Sequence, residues 1–231
     1  MNALILLAGG SGTRMNATDM DKTLIPLDGR AVIKHSAQTF LESGFIDHLI
    51  IVFRDIEQRK ALEAALKPFG FDQQFIQGGS TRQDSVLNAL KALPEQMTHV
   101  YIHDSARPLV SRNALKLLEA ALAKDGAAVL AKPVSDTVKL IASPAKIEKI
   151  LPEDLDRTRL WAMETPQAFA MPAILDAYQY AQAEGLHFTD DAAVASHYGL
   201  RITLVYNPDP NPKITTSDDL EWMAYLTTKR P

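Results

Sequence analysis

Asn2–Ala8 reads NALILLA and runs straight into Gly9-Gly10-Ser11-Gly12-Thr13-Arg14-Met15. A short apolar run that stops at a glycine cluster predicts a buried parallel strand ending in a tight loop. Glycines there let the backbone turn with φ > 0 and let N–H groups approach an anion with no Cβ in the way. Two cations, Arg14 and Lys22, belong to the same stretch. This is equipment for holding a polyphosphate and stabilising charge as it is transferred. An ordinary glycine turn with surface cations would use the same residues, so both readings stand on the loop alone. The dinucleotide fingerprint does not fit, because Met15 stands three residues after Gly12. Nor does a P-loop, because Lys22-Thr23 follows Asp21 instead of the required glycine.

At 231 residues the chain is one large α/β domain or two small ones, with room for a substantial core. A net charge of −4 argues against a general nucleic-acid binder and leaves the cations to a local pocket. There is no cysteine, hence no disulfide and no thiolate metal site, which fits the cytoplasm. The apolar start is too short for a signal-peptide core, and nothing approaches a membrane span.

Outward from the first strand, strands and helices alternate. Helices are expected at Ala31–Ser43, Ile56–Lys67 and Ser111–Lys124, and strands at His48–Phe53, Gln73–Ile76, Thr98–His103 and Ala127–Val134. A capping box is read with Ser80 as N-cap and Gln83 three residues on. Such alternation predicts a three-layer, mostly parallel sheet with ligands at the strand C-termini. The pattern breaks after Val134. Ser135–Asp156 alternates around Ser143-Pro144 and reads as a β-hairpin arm, which either projects to meet a second subunit or folds back on its own sheet. Helices at Pro172–Glu184, Asp190–His197 (capped by Thr189) and Asp218–Thr228 complete the reading, with a strand at Arg201–Tyr206. One domain with an arm is expected.

Further stretches bear on chemistry. Gly78-Gly79 joins a helix N-terminus carrying Arg82, which favours an anion or a hydrogen-bonding base. In Tyr101–Pro108 (YIHDSARP), Asp104 ends an apolar strand where Mg²⁺ would be held across a crevice from the phosphate loop. A structural pair between Asp104 and Arg107 is the plainer alternative. His103, at the end of a buried strand, is read as structural. Lys213 precedes the last helix and is within reach of the same crevice. Asp190 and Asp191 are read as serving a helix dipole rather than a metal, and Trp161 and Thr165-Pro166-Gln167 as packing and turn residues.

Taken in order, AGGSGTRM, DKTLIPLDG, GGSTRQDSV, HDSARP, PVSDTVK, DRTRLWAMETPQAF, TDDAAV and NPKITTSDDL cover nearly the whole chain. The set resembles the 2-C-methyl-D-erythritol 4-phosphate cytidylyltransferase family of the non-mevalonate isoprenoid pathway. The resemblance implies a Rossmann-like nucleotidyltransferase sheet with a projecting β-hairpin arm (about 135–157). It implies CMP transfer from CTP to the alditol phosphate with Mg²⁺, by a homodimer whose arms complete each other's sites. Ala8, Gly9, Gly10, Ser11 and Gly12 would cradle the triphosphate, and Arg14, Lys22 and Lys213 would be catalytic. Gly79, Arg82, Ser85 and Ala106 would contact the nucleotide, while Asp104 would serve the metal and ribose. Arg107, Thr189 and Lys213 would hold the alditol phosphate, joined by Thr137 and Arg157 from the partner's arm.

The chain departs from the family pattern in Ala8-Gly9-Gly10 and in Asp21-Lys22-Thr23, where Asp21 is placed to pair with Lys22 and weaken its hold on phosphate. The double glycine and Ser105 lean towards a relative that makes CDP-ribitol from ribitol 5-phosphate, whereas PVSDTVK and TDDAAV lean back. An idle nucleotide-binding homologue and a hexose-1-phosphate nucleotidyltransferase are the remaining alternatives.

Overall fold

The structure, a computed structural model, describes residues 1–10, 21–67, 73–141 and 153–229. Ser11, Gly12, Arg14 and the tip of the arm therefore lie outside the described residues. The elements in order are β1 (Asn2–Leu7), β2 (Pro26–Leu27), β3 (Arg30–Ala31), α1 (Val32–Leu41), β4 (His48–Phe53), α2 (Ile56–Leu66), β5 (Gln73–Gln77), α3 (Arg82–Ala92) and β6 (His99–Asp104). They continue with α4 (Arg112–Asp125), β7 (Ala127–Pro133), β8 (Lys139–Leu140), β9 (Glu153–Asp154), β10 (Trp161–Ala170), α5 (Met171–Ala183), α6 (Asp191–His197), β11 (Thr203–Tyr206) and α7 (Ser217–Thr227).

A seven-stranded sheet has the order β11-β7-β10-β6-β1-β4-β5. β1 lies at its heart, parallel to both β4 and β6. Its residues are buried on both faces, as the unbroken apolar run requires. Ala3 and Ile5 join a core cluster under α3, α5 and α6, whereas Leu4, Leu6 and Ala8 join the opposite cluster under α1, α2 and α4. This is the expected three-layer sheet.

β10 is the element the sequence hides. It runs antiparallel between β6 and β7, and its register shifts between Met163 and Gln167. Proline is ordinarily excluded from a central strand because it cannot donate to the ladder. Pro166 sits within that shift, where the regular ladder is interrupted. Trp161 and Thr165-Pro166-Gln167 are thus strand residues, not a turn.

Local caps also correct the reading. α3 is capped by Thr81, whose side chain accepts from Asp84 N–H while the Asp84 carboxylate accepts from Thr81 N–H. Ser80 is not the cap; its hydroxyl donates to Asp84. α6 is capped by Asp190, which accepts from Ala193 N–H, and not by Thr189. β8 and β9 pair antiparallel in their own two-stranded sheet, Lys139 opposite Asp154 and Leu140 opposite Glu153, all exposed. The base of the expected arm is therefore present.

Candidate active site

The C-terminal ends of β1, β4 and β6 open into one cavity of about 430 Å³. Among its lining residues are Ala8, Gly9, Gly10, Lys22, Gly79, Arg82, Ser85, Asp104, Ala106 and Lys213, every one of them expected from the sequence. Arg54 lines it as well and was missed. A larger hollow of about 480 Å³, bordered by Leu109, Ser111 and Leu226, lies away from both glycine turns.

The glycine turns are built by close approach. Ala8 N–H donates to Val52 O (2.9 Å), and a Cβ on Gly9 would already touch the Phe53–Arg54 backbone at 3.4 Å. Gly78 N–H donates to Phe53 O (2.8 Å), and Gly79 N–H donates to Ser85 Oγ (3.0 Å). A Cβ on Gly79 would stand 2.3 Å from Asp84 Cβ, so the turn admits no side chain there. Both turns thereby reach the cavity as bare backbone, the form that suits contact with a nucleotide.

The charged wall is a relay of pairs. Arg82 donates to both oxygens of Asp191 at 2.8 Å, and its Nε lies 3.4 Å from Asp104 Oδ1. Lys213 Nζ donates to Asp104 Oδ2 at 2.5 Å. Burial pushes the Asp104 carboxyl up, but Arg82 and Lys213 outweigh it and hold the group well below the usual carboxylate range. Burial likewise opposes the Arg82 charge, and Asp191 overcomes it, so the guanidinium stays protonated. Asp191 is fully buried and also accepts from Tyr178 Oη at 2.5 Å. It is a partner of Arg82 rather than a dipole residue, a correction to the sequence reading; Asp190 alone serves the helix start.

Lys213 is brought in by its neighbours. Ile214, fully buried with Leu27, Leu109 and Met223, donates its N–H to Ala106 O (2.9 Å). Asn211 Nδ2 donates to Thr165 O (2.8 Å) and to Glu164 Oε2 (3.2 Å), which fixes the preceding loop against β10. Arg107 donates from Nη1 to Asn211 O (2.7 Å), so its side chain steadies this loop and does not pair with Asp104. Burial lowers its pKa, although Asp104 and Glu164 oppose the shift.

His103 is structural, as read. It is fully buried, and Asp104 N–H donates to Thr165 Oγ1, which lies 3.1 Å from His103 Nδ1, while Nε2 lies 3.1 Å from Arg107 O. Since a carbonyl can only accept, Nε2 carries the proton and Nδ1 accepts from the hydroxyl. Burial lowers the imidazole pKa to about 4.

Besides Arg107, whose side chain is turned to Asn211 O, three expected residues stand apart from the cavity. Thr189 is exposed beside the α6 cap, and Thr137 and Arg157 are exposed on the arm, where Arg157 Nη1 donates to Ser135 O (2.8 Å). The Asp21 carboxylate accepts from Thr23, Gln58 and Arg54. The described residues contain no cluster of three or more metal-ligating side chains. Among the described residues Asp104 is the lone carboxylate lining the cavity, and it would suit a Mg²⁺ ion whose other ligands are phosphate oxygens and water.

The family model for 2-C-methyl-D-erythritol 4-phosphate cytidylyltransferase matches residues 2–228. The chain belongs to this family. It is 38% identical to the enzyme of that name from Synechococcus sp. (strain CC9902) over 220 residues, 94% of this chain and 93% of the relative. It is 34% identical to that of Clostridioides difficile (strain 630) over 221 residues, 95% and 91% of the two chains. Its fold is similar to the crystal structure of 4-diphosphocytidyl-2C-methyl-D-erythritol synthase from Anaerococcus prevotii, with a TM-score of 0.85 and 25% identity across 99% and 96% of the chains. The chain is thus a cytidylyltransferase with a Rossmann-like sheet.

Proposed function

We propose that the β1–β4–β6 cavity holds CTP and that the cations around it carry the chemistry. As a member of its family, the enzyme transfers CMP from CTP to 2-C-methyl-D-erythritol 4-phosphate, giving 4-(cytidine 5'-diphospho)-2-C-methyl-D-erythritol and pyrophosphate. This leaves CDP-ribitol synthesis and an idle nucleotide-binding role unfavoured. The observation that carries the site assignment is the convergence of Lys22, Arg54, Arg82 and Lys213 on two bare glycine turns in an otherwise acidic chain.

A phosphate oxygen of the alditol phosphate attacks the α-phosphorus of CTP in line; the new P–O bond forms as the bond to the β-phosphate oxygen breaks. The attacking oxygen is already ionised, so no general base is required, and positioning and charge stabilisation supply most of the acceleration. Gly9, Gly10, Ser11 and Gly12 cradle the triphosphate, with Arg14 and Lys22 on the developing charge. Gly79, Arg82 and Ser85 face the nucleoside, and Lys213, Arg107 and Thr189 the alditol phosphate. Asp104 is the residue that would help to hold Mg²⁺, and the ion would supply neutralisation of triphosphate charge. The whole chain acts as one nucleotidyltransferase domain in the cytoplasm, as a homodimer in which Thr137 and Arg157 of the arm reach the partner's site.

Pyrophosphate release with CTP and Mg²⁺ tests this. Strong preference for 2-C-methyl-D-erythritol 4-phosphate over ribitol 5-phosphate is expected, with loss of activity in chelator. Preference for ribitol 5-phosphate would overturn the substrate assignment, and undiminished activity in chelator would remove the metal.

A further inference from the structure

Beneath the cavity, one buried amide ties three segments together. Gln58, 4% exposed in the first turn of α2, donates from Nε2 to Ala8 O (2.9 Å) and to Asp21 Oδ2, and its Oε1 accepts from Arg54 N–H (2.6 Å). The Asp55 cap fixes Gln58 by accepting its backbone N–H at 2.8 Å. The other oxygen of Asp21 accepts from Thr23 N–H (2.9 Å) and Thr23 Oγ1 (2.6 Å), and Thr23 is 1% exposed. Arg54 Nη1 closes the figure, 3.5 Å from Asp21 Oδ2 and 3.4 Å from Gly10 O. The end of β1, the end of β4 and the residue before Lys22 are therefore joined through one side chain. Above this junction, a Cβ on Gly10 would lie 3.9 Å from Lys22 Cε and Nζ, so the ammonium group borders the glycine turn.

We propose that Asp21 and Gln58 are positioning residues for Lys22, setting its ammonium group against the Gly9–Gly10 turn where the triphosphate lies. The inference rests on the role assigned above to Lys22. The physical reason is coupling through satisfied buried bonds. Removing the Gln58 amide orphans Ala8 O and Arg54 N–H and leaves Asp21 Oδ2 only its 3.5 Å contact with Arg54, so the segment before Lys22 loses its buried tie to the sheet. The carboxylate of the acidic residue beside the lysine is a mooring point whose charge is met by Arg54 and whose lone pairs are met by Thr23 and Gln58.

A double-mutant cycle separates positioning from general support. Single-turnover transfer from labelled CTP at saturating substrates is measured for wild type, Gln58→Leu, Lys22→Ala and the double variant, with CTP affinity by calorimetry and thermal midpoints as a check on folding. Gln58→Leu is expected to slow transfer about 10- to 100-fold while changing CTP affinity less than about threefold, and to slow the Lys22→Ala enzyme less than about twofold further. Asp21→Ala, at a less buried position, should show the same pattern and decides the matter if Gln58→Leu does not fold. Equal slowing in both backgrounds, or no slowing in wild type, overturns the positioning role alone. Wild-type turnover in Lys22→Ala overturns the assigned role of Lys22 and the inference with it.

Discussion

Asp191 shows how much one residue can carry. Its carboxylate is fully buried, holds Arg82 through two 2.8 Å bonds and accepts from Tyr178. Truncation to alanine leaves a guanidinium and a phenol without their partner inside the protein, and breaking a buried pair in this way costs about 3–5 kcal/mol. Asp191→Ala is therefore expected to lower the urea midpoint strongly and to weaken CTP binding, because Arg82 also faces the cavity. Asp191→Asn, which keeps the shape and one acceptor, should lose less of both. Wild-type stability in Asp191→Ala would show that Arg82 finds another partner. At this scale the glycines, Lys22, Asp104 and Lys213 were legible because each stands at a punctuation mark, a strand end or a helix start. Asp191 was not: its partner is 109 positions away, and beside Asp190 it looks like a second helix-start acid. Gln58 and Arg54 were hidden for the same reason, since only the fold brings α2 and the end of β4 under the glycine turn.

At the scale of elements, local pattern revealed the parallel strands and their helices, because continuous apolar runs and caps are written in neighbouring residues. β10 escaped because its signals conflict: Glu164, Thr165 and Pro166 interrupt an apolar pattern, and what makes them acceptable is supplied by β6, β7 and β11. Glu164 is paired by Lys132 and Asn207, Thr165 by Asp104 and His103. That cross-strand bonding makes a pH prediction. His103 takes a proton near pH 6.5 when unfolded but only at about 4 in the fold, so between these values the unfolded state binds more protons. Stability from this group is therefore full above pH 6.5 and declines as pH falls towards 4, by at most roughly 3 kcal/mol. Asp104, held below the usual range, adds to the loss only below about pH 4. Urea midpoints of wild type should fall between pH 7 and pH 4.5, and the dependence should be shallower in His103→Gln. A flat wild-type profile would mean that the β6–β10 seam accepts the imidazolium.

For the whole molecule, the question is why an acidic enzyme for two polyanionic substrates keeps cations so far from its cavity. Arg157, like Thr137, lies on the arm, exposed and outside the lining of its own chain's cavity, with Arg157 anchored to Ser135 O. The base of that arm, β8 with β9, is a separate exposed sheet and takes no part in the seven-stranded one. Two-stranded sheets of this kind need a covering surface to be stable, and in the proposed homodimer a second copy would supply one at the place where the alditol phosphate needs charge. If the site is shared, Arg157→Ala and Lys22→Ala damage different chains of the same site. Neither variant alone is active, but a mixed dimer has one site with its own Lys22 and the partner's Arg157, and one site with neither. Random re-association of equal amounts places about half the chains' pairs in mixed dimers, so about a quarter of wild-type activity should return. Mixing the purified variants after brief denaturant exchange and measuring pyrophosphate release reads this directly. Activity equal to the mean of the two parents would show that each chain completes its own site, and that Arg157 serves the arm through Ser135 alone.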